Sequence, residues 1–245
     1  MKQFEAVIQT LENLGGVATL GQLNQEVMKI EDCKWGTKTP FASIRRIVQT
    51  NKDIYKIKPG LYGLVKHRKR LEQEGYLVET ESNSNAKEIV EFNHSYYQGL
   101  ILTIGNIKGF QTFVPNQDKN RKFLNQTLGD LATLKNIPSY SFENLVKRSS
   151  SVDVIWFNER KMPHSFFEVE HSTPLQNSLT KFVDLQDFNS RMIIVAPSSR
   201  RREFSDKVGF AAFREIASRV KFVNYEEISG QYEAAIKQQL YETIL

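Results

Sequence analysis

Apolar positions in the first fifty residues recur at helical spacing in three separate runs. Phe4, Val7, Ile8, Leu11 and Leu14 fall on one side of a helix over residues 3–14, and Gly15-Gly16 ends it. After a short apolar stretch at 17–20, Leu23, Val27 and Ile30 line a second helix. A third starts at Thr39-Pro40, an N-cap and first-turn pair, and carries Phe41, Ile44, Ile47 and Val48 as its buried stripe up to Asn51. Two apolar or aromatic runs, 54–57 and 61–65, flank Pro59-Gly60 and predict a β-hairpin.

The pattern changes at 66–87, where KHRKRLEQEG is followed by ETESNSNAK, a basic-to-acidic stretch running into a polar tract. This predicts a first domain over 1–66, a linker over 67–87 and a second domain over 88–245. The second domain opens with a long helix at 87–104, a strand at 110–114 and a looser helical region at 123–146. Strands at 152–157, 166–170, 192–196 and 221–224 follow, with helices at 173–188, 199–219 and 226–243. Strands alternating with helices predict a mixed sheet covered on both faces. The expected fold is α/β (α+β): an N-terminal winged helix-turn-helix, the order given by three helices and a hairpin, and a C-terminal mixed β-sheet flanked by helices. Gly105 and Gly109 have G-x-x-x-G spacing without an apolar 20-mer and are read as turn formers. No repeat and no G-x-x-x-x-G-K-[ST] phosphate loop occurs.

Composition is ordinary for a globular chain of 245 residues, with 40% hydrophobic and 25% charged residues. The single cysteine, Cys33, excludes an intrachain disulfide and any multi-cysteine zinc site, and His67, His94, His164 and His171 are too scattered for a zinc motif. His94 is expected to be structural. With no apolar run approaching about 18 residues and acids in the first turns, no membrane span or signal peptide is expected, and the location expected is cytoplasmic. Charge changes the picture most. Residues 34–70 hold eleven Lys or Arg against one Asp, a local +10 in a chain of net +5. A cationic face of this density releases counterions on meeting a polyanion, so the expected partner is double-stranded DNA.

On the third helix the buried stripe leaves Ser43, Arg45, Arg46, Gln49 and Thr50 pointing away from the core, flanked by Lys38, Lys56, Lys58 and Lys66. Arginine pairs with guanine and glutamine with adenine, while Thr39 and the amides of the helix start suit phosphate. FEAVIQTLENLGGVATLGQL, WGTKTPFASIRRIV and IYKIKPGLYGL resemble the HARE-HTH winged-helix family over about residues 3–65. The resemblance implies DNA binding.

The second domain contains SSSVDVIWFNERKMPHSFFEVEHST. Asp153 lies in one apolar strand, and after a turn carrying Asn158 and Pro163 a second strand delivers Glu168 and Glu170 on one face, with Phe167 and Val169 on the other. Antiparallel pairing brings Asp153 beside them. Three carboxylates at the end of a hydrophobic hairpin are not all cheaply ionised, and a divalent cation, Mg2+ or Mn2+, is the usual remedy; the competing reading is an edge strand with its acids in water. The pattern resembles the PD-(D/E)XK nuclease fold. That resemblance implies Asp153 as the first acid, Glu168 as the second, the Val169 carbonyl as a further metal ligand, and Glu170 at the position usually held by lysine. In this Glu-x-Glu variant Glu170 accepts the proton of the attacking water. FNHSYYQGLILTIGNIKGFQTFVPNQDKN and FEVEHSTPLQNSLTKFVDL are similar to FEVEHS-type restriction-endonuclease-like proteins over about residues 90–195. The fold usually takes another acid from its first helix, for which Glu91 or the weaker Gln98 is available, and His171 is read as a supporting hydrogen-bonding group. Asp118, Lys119 and Arg121 are either phosphate contacts or a solvated loop, as are the arginines of SSRRREF at 198–204.

Together these readings predict a metal-dependent DNA endonuclease of the type II restriction class, acting as a homodimer and encoded beside a DNA methyltransferase. Two alternatives stay open: a DNA-binding regulator with a degenerate nuclease domain, and a structure-specific repair nuclease.

Overall fold

The computed structural model describes residues 1–242. The chain divides into two compact units, one formed by residues 1–92 with the segment from Ser229 onward, the other by Asn93–Ile228.

The first unit contains α1 (Gln3–Asn13), β1 (Val17–Thr19), α2 (Leu20–Glu26), α3 (Pro40–Thr50), β2 (Ile54–Lys58), β3 (Leu61–Leu64) and α4 (Arg68–Gln73). Gly15 and Gly16 adopt φ of 86° and 89°, a conformation that closes α1 and that only glycine enters without strain. Thr19 caps α2: its hydroxyl accepts from Gln22 N at 3.1 Å and the Gln22 side chain returns to Thr19 N at 3.0 Å. Thr39 precedes α3 as expected, but its side chain makes no cap bond and lies 3.4 Å from the Thr37 hydroxyl. The three strands form an antiparallel sheet in the order β1-β3-β2, with Ala18 opposite Tyr62 and Lys56 opposite Tyr62 on the other side. Val7, Leu11, Leu23, Ile44 and Val48 from the three helices meet Ile54, Tyr62 and Leu64 of the sheet in one core. At roughly 1.5–3 kcal/mol for each large side chain taken from water, this cluster is the main source of the unit's stability. Leu71 of α4 is fully buried, so the stretch read as linker opens with an anchored helix.

Next come α5 (Lys87–Ile107), β4 (Gln111–Phe113), β5 (Lys122–Phe123), β6 (Gln126–Thr127), α6 (Leu128–Leu131), α7 (Glu143–Ser149), β7 (Val154–Phe157) and β8 (Pro163–Val169). They are followed by α8 (Leu175–Asp184), β9 (Arg191–Ala196), α9 (Arg201–Val208), β10 (Val220–Asn224) and α10 (Tyr225–Glu242). The second unit is thus mixed α/β. Its five-stranded sheet has the order β10-β9-β8-β7-β4, in which β4, β7 and β8 run antiparallel and β9 and β10 run parallel to β8. Ile155, Phe157, Phe166, Met192 and Ile194 pack on Leu175, Leu179 and Phe182 of α8.

Two expected helices are shorter than their pattern. The region 123–146 holds a two-strand ribbon, the four-residue α6 and an irregular run through Pro138 before α7. The helix expected over 199–219 stops at Val208, where Gly209 caps it and a 3-10 turn, Ala211–Phe213, follows. Of the helix expected over 226–243, Thr243 lies outside the described residues. Gly105 is not a turn residue. It sits inside α5, where a Cβ would lie 2.5 Å from Trp156 Nε1, and that indole donates to the Ile101 carbonyl at 3.2 Å. Gly109, with φ of 76°, does make the turn into β4.

From Ser229 onward α10 belongs with the first unit, although its sequence position suggested the second. Tyr232 Oη lies 3.3 Å from Thr19 Oγ1, and a Cβ on Gly21 would meet Tyr232 at 2.8 Å and Ile236 at 3.1 Å. One helical turn separates these two residues, which form the apolar side that closes over α2.

Candidate active site

β7 and β8 pair with Val154 opposite Phe167, and the same register extended by one residue sets Asp153 opposite Glu168. Asp153 therefore stands just before β7 instead of inside it. Its Oδ2 accepts from the Val169 backbone N–H at 2.7 Å, which fixes the carboxylate against the end of β8. Phe166 and Glu168 share the face of β8 that packs on α8, and there Lys181 reaches Glu168 Oε2 at 2.8 Å and Oε1 at 3.0 Å. The same Lys181 amine also donates to the Ser151 carbonyl at 3.0 Å. Ser178, one turn earlier on α8, hydrogen-bonds Glu168 Oε2 at 3.1 Å and the Glu170 carboxylate, which also accepts from Thr173. Glu170 continues the sheet, donating its N–H to the Val195 carbonyl at 2.8 Å, and Arg200 Nη1 lies 3.3 Å from the Glu170 carbonyl.

Burial dominates the electrostatics. It pushes Glu168 up to about 8, with Asp153 adding to the shift and Lys181 opposing it. It likewise pushes Glu170 up to about 7, against the hydrogen bond from Ser178. For Lys181 burial works against the charge, but the Glu168 carboxylate wins and raises the amine above its ordinary value. Acids held this close to neutrality are where a bound cation would relieve the most unfavourable energy, and their oxygens suit a hard divalent ion, but Asp153, Glu168 and Glu170 do not bring three ligand atoms within 4.8 Å of one another; among the described residues only His94, Asp118 and Asp153 do.

A second group of side chains meets Asp153 from α5 and the loop after β4. Asp118 is 3% exposed: its Oδ1 takes Arg121 Nε at 2.8 Å and its Oδ2 takes Gln98 Nε2 at 3.0 Å. This replaces the solvated-loop reading of Asp118. His94 Nε2 lies 3.5 Å from Asp153 Oδ1 and 3.8 Å from Asp118 Oδ2. Burial opposes its protonation, yet the Asp153 and Asp118 carboxylates lift the imidazole to about 10. Gln98 also donates to the Asp153 carbonyl at 3.1 Å. His171 is buried, with Nδ1 2.9 Å from Asn93 Nδ2 and 3.3 Å from Tyr225 Oη, tying the end of β8 to α5 and α10. Glu91 is not brought into this cluster; it is exposed and lies 3.9 Å from Lys87.

Sequence reasoning missed three contributors: Lys181, His94 as a neighbour of the acids, and Asp118 as a buried one. For Lys181 a signal existed. Leu175, Leu179 and Phe182 mark the buried side of α8, and Ser178 and Lys181 lie on that same side, where polar residues need partners.

On the first unit, Lys38, Thr39, Arg45, Arg46 and Gln49 are exposed and Ser43 is partly so. Arg45 pairs with Glu233 of α10. Lys58 departs from expectation. It is buried against the Phe92 ring with its amine 2.8 Å from Glu79, so it has no free charge to offer phosphate.

A mixed five-stranded sheet with acids and a lysine gathered where β7 and β8 meet α8 defines the class as a mixed α/β domain. The family of the type II restriction enzyme NmeDI C-terminal domain matches residues 77–244, and the chain belongs to that family. The type II restriction enzyme NmeDI of Neisseria meningitidis serogroup C is 26% identical over 161 residues, 62% of this chain and 45% of that protein. The chain thus spans less than half the length of this relative. No solved structure matches it.

Proposed function

We propose that the chain is a metal-dependent DNA endonuclease of the type II restriction class, a phosphodiester hydrolase with a PD-(D/E)XK-type nuclease unit of Glu-x-Glu form. The observation that carries this reading is Lys181 bonded to both oxygens of buried Glu168, beside Asp153 and Glu170, in a chain of a restriction-enzyme family. The resemblance expects a lysine two residues after Glu168, where Glu170 stands. Lys181 brings an amine to the same carboxylate from α8, which supports the catalytic reading over a degenerate, non-catalytic regulator.

In this reading Asp153, Glu168 and the Val169 carbonyl hold Mg2+, or Mn2+ in its place. A bound ion there would supply Lewis-acid polarisation and charge neutralisation at the phosphate. Glu170, poised at about 7, takes the proton of the attacking water, and Thr173 and Ser178 hold its carboxylate in place. Lys181 steadies Glu168 and adds positive charge near the developing oxyanion. The first unit is read as a winged helix of the HARE-HTH type, an assignment supported by the helix order and the β1-β3-β2 sheet. Its α3 presents Lys38, Thr39, Ser43, Arg45, Arg46 and Gln49 to duplex DNA. Cutting both strands with one site per chain calls for a homodimer, and restriction calls for a partner methyltransferase; the cytoplasm is the matching location. Among the described residues no helix is long and apolar enough to cross a membrane.

The test is cleavage of unmodified and methylated plasmid in Mg2+ or Mn2+ by wild type, Asp153→Asn, Glu168→Gln, Glu170→Gln and Glu170→Lys. Wild type should give discrete fragments. The first three variants should lose activity by orders of magnitude while still binding DNA in metal-free buffer. Cleavage retained by Glu170→Lys identifies a position that needs only a water-orienting group, whereas its loss makes the carboxylate itself indispensable. Wild type inert on every substrate, or Asp153→Asn as active as wild type, refutes the assignment. Preference for branched DNA favours a repair nuclease.

A further inference from the structure

Asp153 divides its carboxylate. Oδ2 is committed to the Val169 N–H, and Oδ1 faces His94 at 3.5 Å, with Asp118 Oδ2 3.8 Å from the same imidazole nitrogen. Charged hydrogen bonds run at about 2.7–2.9 Å, so both distances are long for direct bonds. Ligand atoms each about 2.1 Å from a shared ion stand roughly 3.0–3.5 Å apart, a range the His94–Asp153 distance meets and the His94–Asp118 distance exceeds by a few tenths of an ångström. Among the described residues His94, Asp118 and Asp153 alone form a group of three potential ligands whose atoms all lie within 4.8 Å of one another.

Gln98 supplies an independent observation. It is fully buried, its Nε2 bonds Asp118 Oδ2 and the Asp153 carbonyl, and its Oε1 has no hydrogen-bond partner. A buried amide oxygen left in this state is desolvated without compensation and is unfavourable. A half-turn of the amide exchanges its two ends and sets Oε1 near Asp118 Oδ2, an arrangement that is repulsive unless a cation lies between the two oxygens. Arg121 holds Oδ1 of Asp118 and the Gln98 amide holds Oδ2, so a cation at Oδ2 requires that amide to turn.

We propose that His94, Asp118, Asp153 and the Gln98 amide oxygen form a second cation site, which takes a first-row transition ion such as Mn2+ or Co2+ in preference to Mg2+. The selectivity follows from the donors. Mg2+ favours an all-oxygen octahedron and keeps its waters, whereas an imidazole nitrogen beside carboxylates suits the later first-row ions. The site shares Asp153 with the hydrolytic group but requires nothing of hydrolysis, so the two readings can fail separately.

The experiment is titration of the metal-free full chain with Co2+, followed by its visible absorption, and with Mn2+, followed by loss of the free-ion electron paramagnetic resonance signal. Wild type and Glu168→Gln, which lacks a carboxylate of the hydrolytic group, should both bind Co2+ with the same band shape and should hold it against a hundred-fold excess of Mg2+. His94→Asn should bind at least ten-fold more weakly with a shifted band, and Asp118→Asn should weaken binding as well, with thermal unfolding checking that each variant is folded. An unchanged spectrum and affinity in folded His94→Asn and Asp118→Asn overturns the proposal. So does a failure of Glu168→Gln to bind while wild type binds, or displacement by equimolar Mg2+.

Discussion

Glu168, Glu170 and His94 each hold a proton in the native state beyond the pH at which the unfolded chain releases it. Native Glu168 and Glu170 titrate at about 8 and about 7 against 4.5 for an ordinary glutamate, and His94 at about 10 against 6.5. Between those limits the native state binds more protons than the unfolded one, so stability falls as pH rises. The loss begins above pH 4.5 through the glutamates and continues through His94 toward 10. Each extra bound proton steepens it by up to about 1.4 kcal/mol per pH unit. Urea unfolding in chelator at pH 5.5, 7 and 8.5 should therefore find the wild type weakest at 8.5, with a shallower dependence in Glu168→Gln. Stability that climbs with pH would contradict the burial argument. At this scale the sequence was legible where alternation alone decides the outcome: Glu168 and Glu170 follow from the period of one strand, and Asp153 from one antiparallel pairing. Asp118 and His94 reach Asp153 from the loop after β4 and from α5, thirty or more residues away, and no local period encodes a meeting of that kind.

At the level of elements, α3 and the β2-β3 hairpin were readable because capping, stripe and turn chemistry agree over a dozen residues. The expected helices at 123–146 and 199–219 were overextended because scattered apolar residues mimic a helical stripe while Pro138 and Gly209 break the backbone. Lys58 shows the limit of counting charge along a sequence: the cationic window includes it, but the fold spends its charge on Glu79. The two kinds of lysine and arginine should separate experimentally. Arg46→Ala should weaken duplex binding and lower the slope of log affinity against log salt by roughly 0.9, the value for one phosphate contact. Lys58→Met should leave that slope unchanged while costing on the order of 1–2 kcal/mol of stability, since Glu79 loses its ion pair with Lys58 but remains partly hydrated. Because burial holds Lys58 below its ordinary pKa, its own charge is also relieved as pH climbs toward 10.5. A reduced salt slope in Lys58→Met would place that amine on DNA after all.

For the molecule as a whole, the proposed double-strand cutter predicts a species of twice 28.3 kDa in sedimentation equilibrium, at least when DNA is bound. A chain that remains monomeric on its substrate should nick instead of cutting both strands, and plasmid cleavage followed over time reads the difference. The discontinuous first unit has a consequence for biosynthesis. Residues 93–228 are complete in sequence before Ser229 and the helix carrying Tyr232 and Ile236 have left the ribosome, whereas the first unit needs those late residues to cover Gly21 and Thr19. The second unit can therefore complete its core, including the proposed hydrolytic residues, while the first is still waiting for the last helix of the chain.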